Sequence, residues 1–179
     1  MSASLAPIQP ETATGTAKEL LDRVKQSKGK VPNMTKVMAN SPTLLKSWLA
    51  LSAAVNAGTL STAVRDQLAI ATAQRNGCEY CLSAHTYLGE HVAKLPASEL
   101  AAARKGESDD PHVQALLQFS NEIHATSGDV SAEAVAAARA AGVTDEEIGE
   151  LVANLALNTL TNYFNVLAGV PNDWPVVSL

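Results

Sequence analysis

The sequence predicts an all-α fold, a single helical domain with an extended N-terminal arm and an extended C-terminal tail. Three observations carry this. Of 179 residues, 46% are hydrophobic, much of that fraction is alanine, and aromatics are only 4%. Alanine has the best helix propensity and lets helices approach closely. No segment of useful length alternates polar and apolar residues with the period of a half-buried strand. Helix start and stop signals also divide the chain at helix-sized intervals. The length suits one domain with an ordinary core.

Residues 1–15, with Pro7, Pro10 and Gly15 among several Ser and Thr, read as the arm, and 16–179 as the domain. Leu20, Leu21 and Val24 fall on one face of a helix from about Thr16 to Gln26. After the break at Lys28-Gly-Lys-Val-Pro-Asn33, a short helix carries Met34, Val37 and Met38. Ser41 is a good N-cap and Pro42 suits the first helical position, so a helix runs from Pro42 to about Asn56. Ser61 caps the next, which ends at Asn76-Gly77, a dipeptide that marks turns because glycine adopts φ > 0 at little cost. Cys78 then opens a helix through Cys81, Leu82, His85 and Leu88 to about Val92. A short helix starts at Pro96, Lys105 to Asp110 is a polar loop, and helices follow over Pro111–Thr126, Ser131–Ala141 and Thr144–Ala168. Leu68–Ala84 and Leu151–Leu167 share an apolar pattern, with Tyr80 opposite Tyr163, which leaves duplication and chance as alternatives.

The formal net charge is −5, with Lys and Arg scattered. No basic stripe with interleaved aromatics appears, which argues against nucleic-acid binding. Apolar runs are broken well before the roughly 18 residues that a membrane span needs. The N-terminus shows no basic region followed by an apolar run, so no signal peptide is expected and a cytoplasmic location follows by default.

Only two cysteines occur, at 78 and 81. A disulfide between them would close almost no loop, so a purely stabilising role is weak. In a cytosolic chain such a pair reads as redox or metal chemistry. On a helix, Cys78, Cys81 and His85 are spaced i, i+3 and i+7, which puts all three on one stripe. A thiol acts as a nucleophile only as thiolate. The helix N-terminus favours negative charge at Cys78. His85, one turn beyond Cys81, can take a proton directly or through water. Either cysteine could attack first, with Cys81 favoured by its nearness to His85; the other then traps the oxidised sulfur as a disulfide. Asp66, on the preceding helix, reaches the same pocket if the chain folds back at Asn76-Gly77. A zinc site on the two thiols and His85 would need a fourth ligand that one short helix does not supply, so no metal is expected. Tyr80 either lines the pocket or packs. His91, His112 and His124 read as surface residues, Trp48 and Met34 as core or interface, and Asn158, Asn162 and Asn165 as structural.

The stretch Arg65-Asp-Gln-Leu-Ala-Ile-Ala-Thr-Ala-Gln-Arg-Asn-Gly-Cys-Glu-Tyr-Cys-Leu-Ser-Ala-His85-Thr resembles the signature of the carboxymuconolactone decarboxylase family, in its alkylhydroperoxidase AhpD-like, peroxidase-related branch. That signature is a Glu, eleven residues, Cys, two residues, Cys, three residues, His. Thr12–Leu21, Val31-Pro-Asn-Met34, Asn40-Ser-Pro42 and Asn158-Thr-Leu-Thr-Asn-Tyr-Phe-Asn165 are similar to the same branch. The resemblance implies an AhpD-like helical bundle and homo-oligomers, commonly trimers or hexamers. It implies reduction of a hydroperoxide by Cys78 and Cys81, with a proton relay through His85 and an acid. No cofactor is implied, but an external dithiol, protein or small thiol, must re-reduce the pair. Asp66 stands where the family usually has Glu and is one methylene shorter. Tyr80 stands where the best-known hydroperoxidases have His, and Val166 replaces a histidine that often follows the last Asn. Two other readings are a cofactor-free decarboxylase, whose relatives need not keep the cysteines, and a non-catalytic oligomeric protein that senses redox state through its dithiol.

Overall fold

Nine α-helices and no strand make up the regular structure of residues 5–179, the part of the chain described in this computed structural model. They are α1 (Gly15–Lys28), α2 (Asn33–Met38), α3 (Pro42–Asn56), α4 (Thr62–Arg75), α5 (Glu79–His91), α6 (Ala97–Ala103), α7 (Pro111–Thr126), α8 (Ala132–Ala140) and α9 (Asp145–Ala168). The all-α class expected from the sequence is the one found.

Boundaries follow the capping chemistry. Ser41 Oγ accepts from the Leu44 amide at 3.3 Å and Ser61 Oγ from the Val64 amide at 3.2 Å. Each such cap contributes about 1 kcal/mol. Asp110, read from sequence as the end of a polar loop, caps α7 by accepting from the amides of His112 and Val113. Thr144 and Glu147 form a reciprocal capping box at the start of α9.

Helix α4 is the spine. Every residue from Asp66 to Ala73 is buried, because α5, α6, α7 and α9 all pack around it. Three apolar clusters result. Val37, Ile70, Cys81, Leu82 and Leu100 join α2, α4, α5 and α6. Leu68, Leu116, Leu117 and Leu151 join α4, α7 and α9. Leu21, Val24, Met38, Leu45 and Trp48 join α1, α2 and α3. Burying a leucine such as Leu21 stabilises the fold by about 1.5–3 kcal/mol.

Two glycines shape the surroundings of α5. Gly77 has φ +66°, which turns the chain back on itself between the helices. Gly89, further along α5, leaves room for Leu100 of α6: a Cβ there would sit 2.7 Å from Leu100 Cδ2.

The expected arm falls partly on residues 1–4, which lie outside the described residues. Residues 5–14 carry no helix, and the amides of Leu5 and Ile8 donate to the carbonyls of Ala168 and Lys36, each at 3.0 Å. The tail beyond Gly169 has no regular structure. Asn172 Nδ2 and the Val177 amide both donate to Ser83 Oγ at 3.0 Å, which ties the tail across α5. The apolar echo noted in the sequence does not mark a repeated unit. Leu151–Leu167 lies inside one helix, whereas Leu68–Ala84 spans α4, a turn and α5, and Tyr80 is buried where Tyr163 is 60% exposed. Among the described residues no helix is long and apolar enough to cross a membrane.

Candidate active site

The reversal at Gly77 delivers Cys78 to the N-cap of α5, not to its first turn. Cys78 is extended (φ −99°, ψ 91°), and its Sγ accepts from the Cys81 amide at 3.3 Å. This corrects the expectation that both cysteines share one stripe with His85. A capping side chain folds back over the first turn, so Cys78 is sealed at 1% exposure behind Cys81. A cavity of about 650 Å³ opens in front, lined by Cys81, His85, Asp66 and Tyr80 but not by Cys78. Both thiols are free, with their sulfurs in contact at 2.6 Å.

The two sulfurs are electrostatically unequal. The thiol hydrogen bond from Cys78 holds Cys81 down at about 7; burial works against this, while Asn165, the charge of His85 and Asn162 work with it. The same contact, with burial and the negative charge on Cys81, pushes the Cys78 thiol well above its ordinary range. Cys81 is therefore the sulfur that ionises, and Cys78 is the proton donor behind it.

His85 Nδ1 lies 2.9 Å from Asp66 Oδ1. With Asp66 ionised, Nδ1 carries the proton and Nε2 is the remaining basic nitrogen. Burial favours neutral imidazole, but the hydrogen bond and charge of Asp66, joined by the charge on Cys81, outweigh it, and His85 titrates above its ordinary value. No hydrogen bond joins His85 to either sulfur among the described residues, so the histidine acts on Cys81 through space. The side chain shortened by one methylene still reaches its partner directly.

Tyr80 both packs and lines the cavity. Its hydroxyl donates to Asp173 Oδ1 at 2.8 Å and accepts from the Met34 amide at 3.3 Å, which couples α5, α2 and the tail. Burial, with the Asp173 carboxylate, pushes the phenol above its usual range. Trp48 and Met34, read as core or interface, line the cavity as well. His91 is exposed, and His124 and His112 are partly so, with His112 Nε2 2.8 Å from Glu147 Oε1.

Of Asn158, Asn162 and Asn165, expected from the sequence to be structural, Asn165 reaches the site itself. Asn165 Nδ2 donates to Cys81 Sγ at 3.1 Å, while Asn76 Nδ2 donates to Asn162 Oδ1 at 3.0 Å. Asn154, Asn158, Asn162 and Asn165 are all buried. A row of four amides recurring at helical spacing within an apolar helix was the available signal, since buried amides need a partner and here one partner is a sulfur. Among the described residues no group of three His, Cys, Asp or Glu side chains is disposed to hold a metal ion.

A protein-family model, that of the carboxymuconolactone decarboxylase family, matches residues 42–118, the span from α3 into α7 that contains Asp66, both cysteines and His85. Segment 42–118 belongs to the carboxymuconolactone decarboxylase family. The fold extends the likeness over nearly the whole chain. An uncharacterized peroxidase-related protein from Ralstonia eutropha, described as an alkylhydroperoxidase AhpD core, superposes with a TM-score of 0.82 at 24% identity, covering 97% of this chain and 94% of that one. The debrominase Bmp8, solved as a Cys-to-Ala variant with 2,3,4-tribromopyrrole, gives 0.78 at 19% identity, covering 97% and 93%. A protein of unknown function from Agrobacterium tumefaciens, titled a putative antioxidant defence protein AhpD, gives 0.61 at 20% identity, covering 78% and 96%. These structures share the fold under names as different as peroxidase-related protein and debrominase. No curated protein sequence matches the chain.

Proposed function

We propose that the chain is a thiol-dependent hydroperoxide reductase acting through Cys81 and Cys78. The observation that supports it best is the inequality of the two sulfurs, with Cys81 at the cavity wall and the Cys78 sulfur sealed behind it in contact at 2.6 Å. Cys81 thiolate attacks the distal oxygen of ROOH, the O–O bond breaks, and the departing alkoxide takes a proton from His85 to leave as ROH. Cys81 is then a sulfenic acid. Cys78 attacks it, the S–S bond forms, and hydroxide leaves as water with the Cys78 proton. An external dithiol, protein or small thiol, returns two electrons and two protons. No cofactor enters this scheme. The cytoplasm, where thiol reductants are abundant, is the proposed setting, and a homo-oligomer the proposed assembly.

The test is turnover of cumene hydroperoxide with dihydrolipoamide by reduced wild type, Cys78→Ser and Cys81→Ser. Turnover in wild type that both substitutions abolish is expected. Wild type no faster than the variants sinks the proposal. If peroxide instead consumes both thiols without turnover, the dithiol is a sensor. The cofactor-free decarboxylase reading leaves the sulfur contact unused and gains no support from it.

A second reading draws on the size of the cavity and the aromatic rings of Trp48 and Tyr87 that line it. The same dithiol could reduce a carbon–bromine bond, replacing bromine by hydrogen and releasing bromide as the disulfide forms. Bromide release from tribromopyrrole in the same assay, with cumene hydroperoxide untouched, would select it.

A further inference from the structure

The cavity has cations at its rim and no free acid inside. Lys28, Lys30 and Arg65 line it, with Asp66 as the one carboxylate. Asp66 is committed to His85, and Arg65 to Leu60 O and Thr62 Oγ1. Asp173, near the same edge, is committed to the Tyr80 hydroxyl and the Asn33 amide. The two lysines differ from Lys18, which pairs with Asp22 at 2.7 Å. Among the described residues neither Lys28 nor Lys30 has a carboxylate within salt-bridge distance. Each instead rests over a tryptophan of the cavity wall, Lys28 Nζ 5.8 Å from the Trp48 ring and Lys30 Nζ 3.7 Å from the Trp174 ring. Both lysines are exposed, whereas Cys81 is 4% exposed, so the ammonium groups stand at the mouth and the sulfur at the depth. The whole chain carries −5, so this positive rim runs against its overall charge. Met34, Val55 and Leu157 supply apolar wall, beside the polar side chains of Ser52, Asn56 and Asn154.

We propose that this cavity selects an organic hydroperoxide that carries a carboxylate, with the apolar body against Trp48 and Met34 and the carboxylate between Lys28 and Lys30. This rests on the hydroperoxide reading above for the reactive end, but not for the anionic end. A ring or chain rests against these apolar side chains and brings the peroxide to Cys81. The carboxylate stays at the mouth, where the ammonium groups stand over their tryptophans. The Lys28 charge also reaches the reaction centre, since it opposes protonation of His85.

Two measurements on the full chain separate the two readings. The first compares kcat/KM for para-carboxy cumene hydroperoxide and for cumene hydroperoxide, in wild type and in the Lys28→Gln, Lys30→Gln double variant. Exposed charge pairs are weak, so wild type should prefer the carboxylate by about threefold to tenfold at low salt. The preference should vanish in the double variant and shrink in about 0.5 M salt. The second uses quenching of tryptophan fluorescence to compare binding of para-isopropylbenzoate with that of isopropylbenzene, neither of which has a peroxide to react. A lysine-dependent preference for the benzoate supports the anion site even if neither hydroperoxide turns over, an outcome that removes only the peroxidase reading. Equal binding of the two probes by wild type overturns the anion site, and so does a preference that persists in the double variant.

Discussion

Asn165 gives Cys81 a neutral hydrogen-bond donor at 3.1 Å in a place that water hardly reaches. A sulfur anion there needs donors more than a surface thiolate would, since burial by itself raises a thiol's pKa. Replacing Asn165 by Ala should move Cys81 from about 7 toward the ordinary thiol range and slow its alkylation at neutral pH by about threefold to tenfold. The alkylation rate as a function of pH measures this: in wild type it should climb through about 7 and level off above. Asp66→Asn acts one step further back. Losing the carboxylate lowers the His85 pKa, so the ring carries less positive charge and favours the Cys81 thiolate less. The alkylation midpoint should then rise while the His85 proton resonance titrates at lower pH. A midpoint unmoved in both variants would remove Asn165 and Asp66 from the account. At this scale the sequence was informative about residue identity and poor about contact. Spacing and resemblance point to Cys78, Cys81, His85 and Asp66, and the fold brings these four side chains together. That Cys78 is buried behind Cys81 was not legible, because the difference between an N-cap and a first-turn residue is one step in the chain and reverses where the side chain points. Asn165 was missed because its partner is a distant sulfur, and helical periodicity does not say which buried amide faces which helix.

The α4–Gly77–α5 hairpin is the element on which the site depends. It places Asp66 on one arm and both sulfurs and His85 on the other. At Gly77 a Cβ would meet nothing within 4 Å, so Gly77→Ala isolates the cost of the positive φ from any packing effect. The variant should lose about 1 kcal/mol of stability, seen as a lower urea midpoint with an unchanged slope. Helix boundaries were largely legible, since Ser41, Ser61 and the Asn76-Gly77 dipeptide carry local signals that the fold uses unaltered. The route of the tail was not. Its docking on Ser83 and its Asp173–Tyr80 bond are long-range contacts made by a segment with no period to read.

For the whole molecule, the helices of the bundle leave part of α9 uncovered. Val152, Tyr163, Val166 and Leu167 are between 49% and 71% exposed, an unusual set of large apolar residues to leave in water. The proposed homo-oligomer would cover Tyr163, Val166 and Leu167, and a stable interface of this kind buries on the order of 1,200 Å² or more. Sedimentation should therefore find wild type above the mass of one chain and a Tyr163→Glu, Leu167→Glu variant at it. A monomeric wild type contradicts the assembly without touching the chemistry. The all-α class was the most legible feature of the chain, because alanine content and the absence of strand periodicity are properties of the whole sequence. Cavity size and rim charge were not, because Lys28, Lys30, Trp48 and Trp174 converge from three separate stretches.

The division of labour between the two sulfurs is the central claim, and trapping with dimedone after one equivalent of cumene hydroperoxide tests it most directly. Mass spectrometry of Cys78→Ser should find a single adduct on Cys81, Cys81→Ser should show none, and wild type should show a Cys78–Cys81 disulfide in its place. An adduct on Cys78 in the Cys81→Ser variant, formed as fast as the wild-type disulfide, would contradict the account.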